Sequence, residues 1–283
     1  MLVGTLLLCV VRPWLEFLPP NGNTVLRVDS DRAVALSIDD GPHPVFTPAI
    51  LDILDDPNGD GEADDAVKAT FFMTGEHVAA FPRVARQVRD RGHEIGNHGW
   101  DDTVLAYMSA ASIRKSIDDT DQALREAFGS DFAKPRFVRA AQGRSFLTMA
   151  GIIRQQDRVL VSALVLGDDW EEPCLSDPSL IEAKVLERVQ AGDIIALHDS
   201  DDRESDPAKV KREATVQALP GILAGLDAKG LEVVTIGELL GAQTPVVMTT
   251  QPLFWLVLIV LIAAVAYSGW PVWRTPPARN AGA

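Results

Sequence analysis

The sequence predicts an α/β fold in which parallel strands alternate with helices around a curled sheet or barrel. Three observations carry this expectation. Apolar runs of strand length recur seven times between residues 33 and 235. Segments with helical periodicity fill the intervals between them, the pattern of repeated strand–helix units. Three of the runs end in clusters of Asp, His and Asn, and in such folds the carboxyl ends of the strands converge on one face.

Taken in order, the predicted strands are 33–38, 69–74, 94–96, 136–138, 159–164, 194–197 and 231–235. The predicted helices are 47–54, 81–89, 110–128, 145–155, 178–189 and 214–228. Gly92, Gly192 and Gly230 each follow a helical stretch, where a left-handed C-terminal cap suits a residue without Cβ.

The chain has 283 residues, 47% of them hydrophobic, enough to bury the core of one large domain. Its 40 acidic and 26 basic residues leave a net charge of −14, which repels a phosphate backbone and argues against nucleic acid as a partner. With only Cys9 and Cys174, neither a disulfide framework nor a thiolate metal cluster is available.

Composition divides the chain into five parts. Residues 1–23 open with "MLVGTLLLCVV", an apolar segment with the length of an export signal or anchor, but with no preceding Lys or Arg and no small-residue cleavage site. Residues 24–241 hold the alternating pattern, and 242–252 form a linker. Residues 253–270, "LFWLVLIVLIAAVAYSGW", carry no charge and are long enough as a helix to cross a hydrocarbon layer of about 30 Å. The bland alternative is a buried core helix, but such helices seldom lack charge on every face. The segment is expected to be a transmembrane helix. Trp255, Tyr267 and Trp270 sit near its ends, and Arg274 and Arg279 follow in the tail 271–283. That asymmetry places the tail in the cytoplasm and the main domain outside it.

The chemistry-bearing stretches are "SIDDGPHP", "RGHEIGNHGWDD" and "IIALHDS", at the ends of the first, third and sixth predicted strands. His98 and Asp102 stand four residues apart, a spacing that can place both on one side of a helical turn around a divalent cation, yet Asp, Asn and Gly also gather in loops for turn-making reasons. Asp39 and Asp40 before Gly41 and Pro42 are open to the same two readings. Charged groups directly after buried parallel strands are costly unless paired or bound to a cation, so their coincidence at three strand ends favours a site.

In that order and at those distances, "SIDDGP", "GHEIGNHGWDD" and "IIALHD" resemble the motifs of the polysaccharide deacetylase family, the NodB-homology domain of carbohydrate esterase family four. The resemblance extends over about residues 24–241 and includes "KATFFMTG" and "GLEVVTIGELL". It implies a distorted (β/α)7 barrel and metal-assisted removal of acetyl groups from an N-acetylated glycan such as peptidoglycan or a chitin-like polymer. On it, Asp39 matches the catalytic base, Asp40 and His98 match metal ligands, and His198 matches the catalytic acid. Asp169 in "GDDW" matches the aspartate that pairs with that histidine, and Trp170 the tryptophan that lines the groove. Arg139 in "RAAQG" matches the arginine that steadies the base, with Gly143 closing the substrate-shaping loop. Zinc is the implied cation, with manganese, cobalt or nickel admissible at a carboxylate-rich site.

Two departures stand out. Asp102 occupies the place of the family's second metal-binding histidine. With Asp40 and Asp102 both supplying carboxylates, the cation would be neutralised and would acidify water less, implying a slower enzyme or a higher pH optimum. Ala141 and Gln142 replace the usual proline and aromatic before Gly143, which alters the loop that shapes the groove. An anchored, catalytically impaired glycan-binding protein of the same fold is therefore the alternative function. Retention of both Asp39 and His198 favours the enzyme, since binding needs neither a base nor an acid. His43, His77 and His93 match no ligand position and read as loop or packing residues. The loop "DDPNGDGEADD" has the early spacing of a calcium site over residues 56–64. Its twelfth position is Val67 rather than glutamate, so it reads as a solvated acidic insertion in preference to a calcium loop.

Overall fold

The computed structural model describes residues 24–241 except 62–64, 102, 145–146, 202–203 and 205. The N-terminal apolar segment, the linker, the expected transmembrane helix at 253–270, the tail and Asp102 therefore lie outside the described residues. Of the two units into which the chain divides, residues 1–248 contain every described residue, and residues 249–283 lie outside them. Among the described residues no helix is long and apolar enough to cross a membrane.

Among the described residues, nine strands form one sheet in which every strand pairing is parallel. They are β1 (Thr24–Val25), β2 (Ala33–Asp39), β3 (Thr70–Met73), β4 (Glu94–Asn97), β5 (Phe137–Val138), β6 (Val159–Val161), β7 (Val165–Leu166), β8 (Ile194–His198) and β9 (Glu232–Val234). Their spatial order is β1-β6-β5-β4-β3-β2-β8-β7, with β9 paired to the first half of β2 and β3 to its second half. The helices are α1 (Phe46–Asp55), α2 (Gly75–Ala80), α3 (Pro82–Asp90), α4 (Ala110–Phe128), α5 (Leu147–Gln155), α6 (Pro178–Arg188), α7 (Glu213–Ala228) and α8 (Ile236–Gly241).

The expected seven-stranded barrel is thus corrected to a nine-stranded curled sheet whose path, among the described residues, does not close. The predicted strand at 159–164 explains the difference. Its first half, β6, pairs β1 and β5, and Ser162 N–H donates to Val25 O at 2.9 Å. The chain then crosses to the opposite end of the path, where β7 pairs β8. Four peptide steps span at most about 14 Å, so the two ends of the sheet must curl toward each other. The predicted run hides this break, because only its first half is a strand: residues 162–164 connect β6 to β7, and Leu164 is exposed.

Alternation along β2 sorts residues onto two faces. Val34, Leu36 and Ile38 join Phe71, Met73, Ile195 and Leu197 in the larger core beneath α1 and α7, with Ile50, Leu51, Leu54, Leu219, Ile222 and Leu226. Ala35 faces the inside of the curl with Phe72, Phe137, Val161 and Ile194, over Ile236, Leu239 and Leu240 of α8. Farther along the same inner face come Ser37 and Asp39, so the apolar interior gives way to polar groups at the carboxyl ends.

Helix boundaries follow local chemistry. Ser109 caps α4 by accepting from Ser112 N–H at 3.1 Å, and Asp177 caps α6 by accepting from Ser179 N–H at 3.0 Å, just before Pro178. The short helices α2 and α8 were not expected, since six residues show too little of a helical period to read. Gly192 turns with φ +87°, and a Cβ there would sit 1.8 Å from Val28 O, so only glycine fits.

Candidate active site and metal centre

Six neighbouring strands deliver the site. In spatial order β5, β4, β3, β2, β8 and β7 end at or just before Arg139, His98, Thr74, Asp39 with Asp40, His198 and Asp169. Because all six run parallel, their carboxyl ends meet on one rim. Backbone hydrogen bonds continue past the strands: His98 N–H donates to Met73 O at 2.9 Å, Arg139 N–H to Asn97 O at 3.0 Å and Asp199 N–H to Asp39 O at 3.2 Å.

Asp39 and His198 are register partners on β2 and β8. Asp39 is buried, and its Oδ1 accepts from Arg139 Nη1 at 2.7 Å. The same nitrogen donates to Ser37 Oγ at 2.7 Å, and Ser37 in turn donates to Ile195 O at 2.6 Å. Arg139 reaches from β5 to β2 across the inside of the curl, passing over the Phe72 ring at 4.2 Å. Gly96 makes room for that ring, since a Cβ there would lie 2.4 Å from Phe72 Cδ1.

His198 Nδ1 bonds Asp169 Oδ1 at 2.7 Å. Asp169 is fully buried, and its second oxygen accepts from His198 N–H at 2.9 Å and Thr215 Oγ1 at 2.8 Å. Burial alone would lower the His198 pKa, but Asp169, Asp40 and Asp39 outweigh it and raise it to about 9. Burial alone would raise Asp169, and the His198 and Arg212 charges with the hydrogen bonds from His198 instead bring it below the ordinary carboxylate value. Trp170 packs edge-on against the His198 ring, 5.1 Å between centroids.

His98 Nδ1 faces Arg139 O at 3.1 Å. A carbonyl can only accept, so this nitrogen carries a proton, and Nε2 would present a lone pair to a cation once deprotonated. That atom lies 3.3 Å from Asp40 Oδ1. Two ligands held about 2.0–2.1 Å from one tetrahedral cation stand roughly 3.3–3.4 Å apart, so this pair fits a shared divalent ion. Opposing the effect of burial, His198, His98 and Arg212 lower the Asp40 pKa to about 2, which keeps the carboxylate ionised as a ligand must be. Among the described residues no set of three donors forms a metal centre. Asp102, the third ligand expected from the sequence, is outside them.

Sequence reasoning passed over several buried partners. Asp199, next to His198, accepts from Thr47 Oγ1 and packs against Gly41, whose Cβ would fall 2.4 Å from Asp199 Oδ1. Burial pushes its pKa up to about 7, and the Asp40 charge adds to the rise. Arg212 is buried and donates from Nε to Ser200 O at 2.8 Å. Behind His98, Asn97 Nδ2 donates to Asp121 Oδ1 at 2.9 Å, and Asp121 forms a buried ion pair with Arg158. The only local hint was adjacency, as in "HDS" for Asp199.

The remaining predicted residues fall as follows. Gly143 ends a one-turn 3₁₀ helix, Ala141–Gly143, with φ +64° at an exposed position, and no described contact ties it to the charged groups. His43 is a packing residue, accepting from Val45 and Phe46 N–H and stacking on Phe46 at 4.7 Å. His93 is buried against Phe71. His77 is not mere packing, because its Nδ1 bonds Asp40 O at 2.7 Å. In the acidic loop, Asp56 accepts from Asp60 and Gly61 N–H, while residues 62–64 lie outside the description.

Residues 27–157 match the polysaccharide deacetylase family. A peptidoglycan-N-acetylglucosamine deacetylase of Bacillus cereus is 30% identical over 226 residues, covering 79% of this chain and 95% of the relative. The chain belongs to the polysaccharide deacetylase family. A chitooligosaccharide deacetylase of Sinorhizobium fredii is likewise 30% identical, over 70% of this chain and 87% of its own. Among solved structures, a peptidoglycan N-acetylglucosamine deacetylase crystallised with 4-naphthalen-1-yl-N-oxidanyl-benzamide superposes with a TM-score of 0.66 at 28% identity, covering 76% of this chain and 92% of that one. The curled parallel sheet is therefore the NodB-type fold of this family.

Proposed function

We propose that this glycan N-deacetylase uses Asp39 as general base and His198 as general acid beside a divalent cation held by Asp40 and His98. The observation that carries the reading is the register pairing of Asp39 with His198, next to a donor pair 3.3 Å apart. When bound, the cation supplies Lewis acidity that polarises the acetamide carbonyl and makes water easier to deprotonate. Asp102 is proposed as its third protein ligand, and zinc as the cation, with manganese, cobalt or nickel as substitutes.

Asp39 takes the proton from the attacking water, its carboxylate aimed by the Arg139 hydrogen bond. His198, bonded at Nδ1 to Asp169, has Nε2 to deliver a proton to the leaving amine as the tetrahedral intermediate collapses. Asp169 fixes the ring and its tautomer, while Thr215 and the His198 N–H hold Asp169. Trp170 supplies an apolar wall to the groove, and the loop ending at Gly143 borders it.

The substrate class is an N-acetylated glycan of the peptidoglycan or chitin type, as the names of the relatives suggest. Residues 1–23 act as an export signal or anchor, 24–241 form the catalytic domain, and 253–270 hold it at the membrane with the domain outside the cytoplasm. Membrane fractionation with protease accessibility tests that placement. The chemistry is tested by incubating the full chain with zinc and N-acetylated oligosaccharides and measuring released acetate, with Asp39→Asn as control. Glycan binding without acetate release would instead support an impaired binding protein, the reading favoured by Asp102 in place of histidine.

A further inference from the structure

Asp40 adopts φ +77°, a left-handed conformation in which L residues are strained, although Asp tolerates it better than most. That backbone turn sets the direction of the Asp40 side chain, and its carbonyl is caught from the β3–α2 junction. His77 Nδ1 donates to Asp40 O at 2.7 Å and Thr74 Oγ1 donates to it at 3.2 Å. Thr74 N–H also donates to Gly41 O at 3.0 Å. Three hydrogen bonds from residues 74–77 thus grip the two peptide carbonyls of the strained turn.

We propose that His77 is a positioning residue for the cation site: its bond to the Asp40 carbonyl holds Asp40 in the left-handed conformer that presents Oδ1 to His98 Nε2. This rests on the metal-site reading above. Of the three bonds, that from His77 is the shortest and the one made by an aromatic ring with a fixed donor direction. His77 sits on α2, whose first N–H, that of Gly75, donates to Gly99 O at 3.0 Å, while Glu76 N–H donates to Trp100 O at 3.0 Å. The same short helix therefore ties the Asp40 turn to the loop that follows His98, so both cation donors are referenced to one element. Removing the His77 donor leaves the turn free to relax without opening the core, because His77 is only half-buried.

Two substitutions separate positioning from packing. His77→Phe keeps a ring beside Phe81, which lies 6.5 Å from the His77 centroid, but removes the donor. His77→Asn retains an N–H close to the Nδ1 position. Zinc and cobalt affinities are measured by calorimetry on the full chain, and the metal-free proteins are crystallised. The expected result is a loss of about 10- to 100-fold in cation affinity for His77→Phe, the usual effect of removing an outer partner of a ligand. His77→Asn is expected to restore most of it, and Asp40 to leave the positive-φ region only in the Phe variant. Wild-type affinity in His77→Phe, or an unchanged Asp40 conformer in its metal-free crystal, overturns the proposal. If the wild-type protein binds no cation, the metal-dependent mechanism falls, while the Asp40 conformer in the variants still decides the role of His77.

Discussion

Asp39 and His198 stand opposite each other on two adjacent parallel strands, and each is engaged by a different buried partner, Arg139 at 2.7 Å and Asp169 at 2.7 Å. One carboxylate is tied to a guanidinium and one imidazole to a carboxylate. That arrangement is the geometric basis of the acid and base roles proposed for the two groups.

Asp39→Asn and His198→Ala are each expected to lower the rate of acetate release by about 10²- to 10⁴-fold, the range for loss of a general base or acid. Circular dichroism should show a folded protein in both cases. Activity within a few-fold of wild type for either variant removes that residue from the mechanism.

His198 should titrate near pH 9 in the metal-free protein, above its ordinary 6.5. Its folded pKa is raised, so its contribution to stability is fully present below pH 6.5 and is lost as pH rises through about 9. Asp169→Asn, which removes the strongest of the raising charges, should bring the midpoint down. Proton NMR of the imidazole reads the midpoint directly, and a wild-type value at 6.5 contradicts the burial-plus-carboxylate account.

Asp199 shows a pH dependence of the same sign in a lower window. Its folded pKa of about 7 exceeds the ordinary 3.8, so the stability it contributes is complete below pH 3.8 and is lost as pH rises through about 7. Asp199→Asn stays neutral throughout and should melt several degrees above wild type at pH 8 in EDTA, with the gap closing as pH falls toward 4. Parallel melting curves across that range would show that Asp199 is not buried as an acid.

Gly96→Ala places a methyl group against Phe72, on whose ring Arg139 rests. Overpacking of this kind costs about 1–3 kcal/mol and shifts neighbouring side chains. Lower thermal stability together with reduced kcat is expected, whereas an equally stable, fully active variant would mean the ring has room to move.

Asp102→His converts the expected donor set from two carboxylates and one imidazole to one carboxylate and two imidazoles. A more positive cation acidifies water further, so a faster enzyme with a lower pH optimum is expected. Identical pH–rate profiles for the two proteins count against Asp102 as a ligand.

The legible part of the site was local. Asp39, Asp40, His98 and His198 each close a short apolar run, so strand position and chemical type coincide within a few residues. Arg139 and Asp169 were readable through the resemblance, and the structure places both within hydrogen-bond reach of the groups they were expected to serve. The supporting shell was not legible. Thr215 meets Asp169 from 46 residues away, Arg139 meets Ser37 from 102 and Thr47 meets Asp199 from 152. Nothing in the neighbourhood of a threonine in a helix announces a carboxylate just past a distant strand. His77 was read as packing for the same reason, since its partner is a backbone carbonyl that any residue type would supply.

By itself the sequence determined the alternation of strand and helix, the parallel character of the sheet and the placing of Asp39, Asp40, His98 and His198 at strand ends, because these depend on periodicity and on residues a few positions apart. The tertiary structure decided that the sheet is curled, with nine strands among the described residues, that the chain leaves one end of it after Val161 and joins the other at Val165, and that Asp40 takes a left-handed turn whose carbonyl accepts from His77. Those outcomes depend on which strands become neighbours, and a parallel pairing joins segments too far apart along the chain for local pattern to encode.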